Sequence, residues 1–315
     1  MYRSILVPLD GSTFAEHALP TALALARRGN ARLLLVTVST PLSEAYVEGL
    51  YFSTLDLEKE QSARLQGYVE EVAKRVADLV SVPVVPLLRH GEVAPVLTEL
   101  LQKGEADLVV MATHARGAFG RFWLGSVSDE LMIRHTHVPL LLIRPEDGPV
   151  DLRQEPSLTR MVLSLDGSEL SEKILRPAVE LAEMVPDLQL ILIRAVQSVA
   201  PIAVTPDVPE AEREARSLFH QVQVLQAHLR ETAERYLEGI AEPLRARGIK
   251  VRTHVITEDQ PAEAILQEID MQHADLVALE THGRSGLARL FLGSTTERVI
   301  QRSPVPVLVH RPGED

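Results

Sequence analysis

A chain of 315 residues, 45% apolar but only 4% aromatic, has the length for about two domains and enough apolar content for two cores. A net charge of −12 with no Lys/Arg-rich block argues against a surface that grips a phosphate backbone, so nucleic acid is not an expected partner. The absence of cysteine removes any disulfide framework, thiolate zinc site or thiol nucleophile, and no apolar run approaches membrane-spanning length. The opening MYRSILVPLD carries neither a long apolar core nor a small-residue cleavage site, so the expected protein is cytoplasmic, without membrane contact.

In chain order, short continuous apolar runs predict strands at about 3–9, 32–38, 83–89, 107–112 and 138–144. Helical patterns fall between them near 13–28, 57–79, 92–103 and 126–135. Runs such as ARLLLVTV and ADLVVMA lack polar alternation, as parallel strands buried on both faces do. Strand alternating with helix then implies a doubly wound parallel sheet. The stretch PEDGPVDLRQEPS (145–157) is rich in Pro and charge and poor in periodicity, as linkers are. Beyond it the order repeats, with strands near 160–165, 188–195, 250–256, 275–280 and 305–310.

The repeat extends to individual residues. RSILVPLDGSTFAEHA (3–18) resembles TRMVLSLDGSELSEKI (159–174), and HVPLLLIRP (137–145) resembles PVPVLVHRP (304–312). THARGAFGRFWLGS (113–126) matches THGRSGLARLFLGS (281–294) in length, in its Thr-His opening and in its Leu-Gly-Ser close. The expected domains are 1–146 and 158–315, with a linker at about 147–157. Asp10 and Gly125 are 115 positions apart, whereas Asp166 and Gly293 are 127 apart. The extra residues fall around QSVAPIAVTPDVPEAEREARS (197–217), where PEAEREAR reads as a solvated helix start.

Doubly wound sheets bind ligands beyond the carboxyl ends of their strands, where strand order reverses. In each copy the first strand ends in Leu-Asp-Gly-Ser and the fourth runs into the Thr-His loop and then a helix. If those strands are neighbours, Asp10 faces the 113–126 loop across one crevice and Asp166 faces the 281–294 loop across another. A helix N-terminus offers unpaired N–H groups and a positive dipole end to phosphate. Gly125-Ser126 and Gly293-Ser294 let the backbone approach closely and add a hydroxyl, and Arg116 and Arg284 could add charge. The plainer alternative makes Ser126 and Ser294 helix caps, and Asp10 and Asp166 caps of the helices that follow them. His114 and His282 lie inside the loops, where bracing the loop and touching a ligand are equally open.

At these residues the chain resembles the universal stress protein family in its tandem two-domain form. That family's nucleotide loop is Gly-x-x-Gly, nine residues, then Gly-Ser/Thr. The second copy reads Glu280-Thr-His-Gly283, nine residues, then Gly293-Ser294, and the first reads Ala112-Thr-His-Ala115, nine residues, then Gly125-Ser126. The resemblance implies two tandem five-stranded parallel-sheet α/β domains, Rossmann-like and adenine nucleotide alpha hydrolase-like, with strand order 3-2-1-4-5. It implies ATP or AMP as ligand. Asp10 and Val38 would then bind the adenosine end with Pro8 nearby, and Met111 and Ala112 would line the ribose and first phosphate. Gly125, Ser126 and the Val127 N–H would hold phosphates. In the second copy the matching positions are Ser164, Asp166, Ala195, Leu279, Glu280, Gly283, Gly293, Ser294 and Thr295. It also implies that 138–144 and 305–310 pair within the chain as a pseudo-dimer, and that two chains associate as a homodimer.

Two departures from the family's loop weigh on this expectation. Ala115 replaces a phosphate-contacting glycine, at a cost on the order of 1 kcal/mol if that position needs φ > 0. Glu280 replaces the other glycine and could either accept a ribose hydroxyl or repel a phosphate. The two sites are therefore expected to be unequal, with the second the better. The expected function is a non-enzymatic adenine-nucleotide-binding stress-response protein whose nucleotide state tunes association. A nucleotide-free dimerising module and a slow ATP hydrolase, with Asp10 or Asp166 holding Mg²⁺ beside phosphates, are the alternatives. Gly120-Arg-Phe-Trp-Leu-Gly125-Ser126 has a P-loop-like spacing but lacks the lysine, so no catalytic residue is assigned. His135 and His137 lie two apart before a strand with no third ligand in view, so no metal site is assigned either.

Overall fold

The computed structural model describes residues 1–41, 54–113, 126–133, 137–145, 148–199, 209–281 and 293–311. In the first copy the strands are β1 (Ser4–Leu9), β2 (Arg32–Ser39), β3 (Val84–His90), β4 (Leu108–Ala112) and β5 (Leu140–Ile143). The helices are α1 (Leu19–Gly29), α2 (Thr54–Ala77), α3 (Val93–Gln102) and α4 (Ser126–Ile133). The second copy supplies β6 (Arg160–Ser164), β7 (Gln189–Val196), β8 (Lys250–Thr257), β9 (Leu276–Glu280) and β10 (Val307–His310). Its helices are α5 (Glu169–Glu172), α6 (Leu175–Met184), α7 (Pro209–Ala246), α8 (Pro261–Met271) and α9 (Ser294–Arg302).

All ten strands form one sheet, in the order β3-β2-β1-β4-β5-β10-β9-β6-β7-β8. Each half therefore has the order 3-2-1-4-5, with every pair inside a half parallel. The halves join where β5 pairs antiparallel with β10, Leu141 opposite Leu308. Because those two strands run in opposite directions, the carboxyl ends of the two halves open on opposite edges of the sheet.

Strand residues alternate between two buried layers that run across both halves. One contains Ile5, Val7, Leu108, Val110, Leu276, Ala278 and Leu308, beneath α1, α2, α6 and α7. The other contains Leu6, Val109, Met111, Val277, Leu279, Val307 and Val309, together with residues of α3, α4, α8 and α9. Both strand faces are thus buried, which explains why the sequence shows unbroken apolar runs.

One helical pattern ends up differently from the expectation. The pattern at 13–28 splits into a 3₁₀ turn (Ala15–Ala18) and α1, with Pro20 in the first turn of α1. The second copy makes the same break between α5 and α6, where Pro177 lies in the first turn of α6. A proline lacks the N–H that a helix interior needs, so it is placed where a helix begins. The longer connection of the second copy lengthens a helix: α7 has 38 residues against 24 in α2. At 1.5 Å per residue α7 is about 57 Å long and α2 about 36 Å.

Candidate functional site

The crevice begins at the end of β1. There the chain turns through Asp10-Gly11-Ser12, and Asp10 Oδ1 accepts from the Ser12 backbone N–H at 2.9 Å and from Ser12 Oγ at 2.6 Å. Gly11 takes φ +87°, which a side chain rarely adopts. At the end of β6, Asp166 Oδ1 accepts from Ser168 N and Ser168 Oγ at the same two distances, and Gly167 takes φ +86°. Ser168 then caps α5 by accepting from Ser171 N at 3.1 Å. Both carboxylates are therefore held in place by their own turns, which presents them at the strand tips.

Strands β1 and β4 are neighbours, so strand order reverses between them. A cleft of about 680 Å³, counting the space open to solvent, lies at that point. Pro8, Leu9 and Asp10 line it from the end of β1, with Phe14 and Ala15 from the turn that follows. Val36 and Val38 come from β2, Val93 from the start of α3, Met111 and Ala112 from the end of β4, and Val127 and Ser128 from the first turn of α4. The cleft thus has apolar walls, one carboxylate at its rim and a helix N-terminus at its mouth. Of the sequence-based candidates, Pro8, Asp10, Val38, Met111, Ala112 and Val127 are brought together here, and Ser126 opens α4. His114, Ala115, Arg116 and Gly125 lie outside the described residues, as do His282, Gly283 and Arg284.

In the second copy Ser164, Asp166, Ala195 and Leu279 occupy the matching strand ends, and Ser294 and Thr295 open α9. Gly293, at φ −61° and ψ 139°, is the cap of α9, so Ser294 is its first helical residue rather than the capping one. Gly293 N donates to Thr281 O at 2.8 Å, and Thr296 Oγ donates to Glu280 O at 2.7 Å. These bonds fasten the start of α9 to the end of β9.

Glu280 is only 5% exposed. Leu276 and Ala278 point into one layer and Val277 and Leu279 into the other, so Glu280 continues on the Leu276 side. Leu279 matches Met111 and Glu280 matches Ala112, both of which line the first cleft. The Glu280 carboxylate is turned toward β10, where its Oε1 lies 2.7 Å from His310 Nδ1. Burial raises its pKa above the ordinary carboxyl value, with His310 beside it pulling the other way. Oε2 is buried without a hydrogen-bond partner. In the first copy the registered pair at this place is Ala112 and Ile143, both apolar.

A second repeated contact escaped the sequence reading. Tyr68 on α2 donates to Glu16 Oε1 at 3.2 Å, and Tyr236 on α7 donates to Glu172 Oε1 at 2.9 Å. Glu16 and Glu172 are matched positions in the 3–18 and 159–174 repeats, a signal that the sequence did carry. Each bond ties the long helix to the segment that follows the Asp-Gly-Ser turn. Burial, then the neighbouring glutamate, raises the pKa of both phenols. Only the second copy adds Arg194, whose guanidinium sits 4.8 Å from the Tyr236 ring centre and packs against Gly167.

The family model described as the universal stress protein family matches residues 1–144 and, separately, 158–311. The chain belongs to the universal stress protein family. A universal stress protein of Mycolicibacterium smegmatis is 30% identical over 98% of this chain and 97% of its own length. One from Mycobacterium tuberculosis is 27% identical, over 99% and 96% respectively. Among solved structures, a universal stress protein from Archaeoglobus fulgidus aligns with TM-score 0.63 at 22% identity, covering 99% of this chain and 97% of that one. At that identity the match supports the fold. Both universal stress protein units share the Asp-Gly-Ser turn and the Tyr–Glu contact, whereas Ala112–Ile143 has become Glu280–His310.

Proposed function

We propose that the chain binds an adenine nucleotide, ATP or AMP, in each of two crevices at the carboxyl ends of its central strands. Nucleotide occupancy then tunes association in a stress response, without catalytic turnover. One observation carries this reading: Pro8, Asp10, Val38, Met111, Ala112 and Val127, drawn from four separate stretches of sequence, line one cleft at the point of strand reversal. Its apolar walls suit a base, the strand-tip carboxylate suits sugar hydroxyls, and the helix N-terminus suits phosphate. The second crevice keeps Gly283, which supports it as the tighter site. Glu280, whose counterpart Ala112 lines the first cleft, has Oε1 engaged by His310 at 2.7 Å, which ties up part of its carboxylate.

The experiment is to denature purified protein with acid and to quantify released nucleotides per chain by mass spectrometry. Titration calorimetry with ATP and AMP accompanies it, on the wild type and on Val38→Trp and Ala195→Trp. Each tryptophan is expected to fill one crevice and remove one binding event, Ala195→Trp the tighter. ATP at 100 times its Kd should add about 2.7 kcal/mol of stability. If no nucleotide co-purifies and ATP leaves the melting temperature unmoved, the proposal fails.

A further inference from the structure

Where the two units meet, a second cavity opens on the edge of the sheet that carries the carboxyl ends of β9 and β10. It measures about 1380 Å³ counting the space open to solvent, about twice the first cleft. The first unit lines it with Leu101, Ala106, Val138 and Pro139, beside Asp107 and His137. The second unit faces them with Lys173, Arg176, Pro177 and His310. None of these residues lines the first cleft or is assigned to the second crevice.

The fold accounts for the acids on the cavity walls. Asp107 accepts from the backbone N–H groups of Arg3 at 2.8 Å and Ser4 at 3.0 Å. Asp275, at the matching place in the second unit, does the same for Thr159 and Arg160. Glu180 accepts from Arg176 Nε at 3.2 Å and lies 3.9 Å from the amino terminus. The fold does not call for the basic residues in the same way. At the places of Lys173, Arg176, His310 and His137 the other unit has His17, Pro20, Ile143 and Pro304, three of them apolar.

Two of the basic groups are neighbours. His310 meets Glu280 through Nδ1 at 2.7 Å, which leaves Nε2 as the ring nitrogen available to a ligand, and no described residue bonds it. Lys173 is close enough that its charge lowers the Glu280 pKa, so it stands beside the same pair. Arg176 follows three positions later, one helical turn on, and commits one of its five N–H donors to Glu180. We propose that this cavity is a ligand site of its own, for a small organic anion. Its phosphate or carboxylate is held by Lys173, Arg176 and His310, and its apolar body faces Leu101, Val138 and Pro139. Charge-assisted N–H bonds are the strong ones, and an arginine presents its donors as a planar fork that suits both anions. Because the walls come from both units, a bound ligand bridges the join made by β5 and β10.

Phenyl phosphate is the probe, since it joins a phosphate to an apolar ring and lacks the base and sugar of a nucleotide. Titration calorimetry should show one binding event per chain with a Kd below about 1 mM, at least about tenfold tighter than for inorganic phosphate. Benzoate run alongside decides between phosphate and carboxylate. Lys173→Gln/Arg176→Gln should weaken binding at least about tenfold, as the loss of two charged donors would. Arg176→Gln alone, at a side chain 88% exposed, should weaken it in part with an unchanged melting temperature. His17→Gln, the matching change in the other unit, should leave it unaltered. Val38→Trp/Ala195→Trp, which fills both crevices, and saturating AMP should leave it unaltered too, so the site stands or falls apart from nucleotide binding. Absence of saturable binding of either anion up to about 10 mM overturns the proposal, as does binding that survives Lys173→Gln/Arg176→Gln. Loss of binding to AMP or to Val38→Trp/Ala195→Trp would put the probe in a crevice and overturns it as well. Equal affinity for inorganic phosphate overturns the organic class of ligand.

Discussion

Replacing His310 with isoleucine puts into the second unit the residue that the first unit has at the same strand position. Alone, the change leaves Glu280 buried at 5% exposure with neither carboxylate oxygen paired to a side chain, because Oε2 has no partner and Oε1 loses His310. Breaking a buried pair in this way costs about 3–5 kcal/mol. At about 2–3 °C per kcal/mol, the melting temperature should fall by roughly 6–15 °C. Adding Glu280→Ala recreates the Ala112–Ile143 pair, and the double variant should recover at least half of the loss. The sign of the pH dependence follows from Glu280. Its pKa is already raised by burial, and His310 is what holds it down, so the single variant raises it further. A raised carboxyl contributes its stability below the unfolded value of about 4.3 and loses it as pH rises through the folded value. The deficit of His310→Ile should thus be smallest near pH 4–5 and widen toward neutrality. Thermal and urea unfolding of wild type, single and double variants at several pH values make the comparison. A double variant that melts as low as the single one, or a deficit independent of pH, refutes the reasoning.

Two further outcomes test the turns and the long helices. Gly11→Ala and Gly167→Ala both place a side chain at φ near +86°, at about 1 kcal/mol each. A Cβ at 167 would also lie 2.7 Å from Arg194 Nη2, whereas at 11 the nearest atom, in Leu65, is 3.5 Å away. Gly167→Ala should therefore cost about 0.5–1 kcal/mol more in urea unfolding, as Arg194 leaves the Tyr236 ring, and equal costs would contradict this. Tyr68→Phe and Tyr236→Phe should each cost about 1 kcal/mol near neutral pH. The raised phenol pKa values contribute stability that is lost as pH climbs above about 10, so each variant should flatten that alkaline loss. An alkaline slope left unchanged would mean that the two phenols are not its source.

What could be read from the sequence, and what could not, divides along a physical line. Strands such as β2 and β7 were legible because both faces are buried, so ARLLLVTV and LQLILIRAV announce themselves without any partner in view. The cleft was legible because Asp10 and the loop before α4 sit at strand ends, and the family resemblance supplied the strand order that makes β1 and β4 neighbours. The Tyr68–Glu16 and Tyr236–Glu172 contacts were not, since a tyrosine 52 or 64 positions from its acceptor carries no local pattern. The direction of Glu280 was not legible either. As a lone departure from a loop motif it invited a reading in terms of ligand charge, whereas its partner lies 30 positions onward on β10.

The same lesson, applied to pairs rather than single positions, explains how the two units diverged. His254 occupies the register position of Leu87, opposite Ile193 as Leu87 is opposite Val36. Its Nδ1 lies 2.9 Å from Oε2 of Glu268, a fully buried carboxylate on α8 at the place of Leu100, without hydrogen-bond geometry. The second unit thus has two Glu–His contacts where the first has apolar residues at the same places. Removing one partner of a buried pair strands the other, so in each contact the acid and the imidazole depend on one another. Taken alone, Glu280 is a departure in a ligand loop; taken with the paired strand, it is also one partner of a contact with His310 on β10. The crevice residues themselves kept their type of contact, with both aspartates bound to Ser N and Oγ at 2.9 and 2.6 Å. Divergence has accumulated in what supports the strands and in the added length of α7, while the turn that presents each aspartate has been left alone.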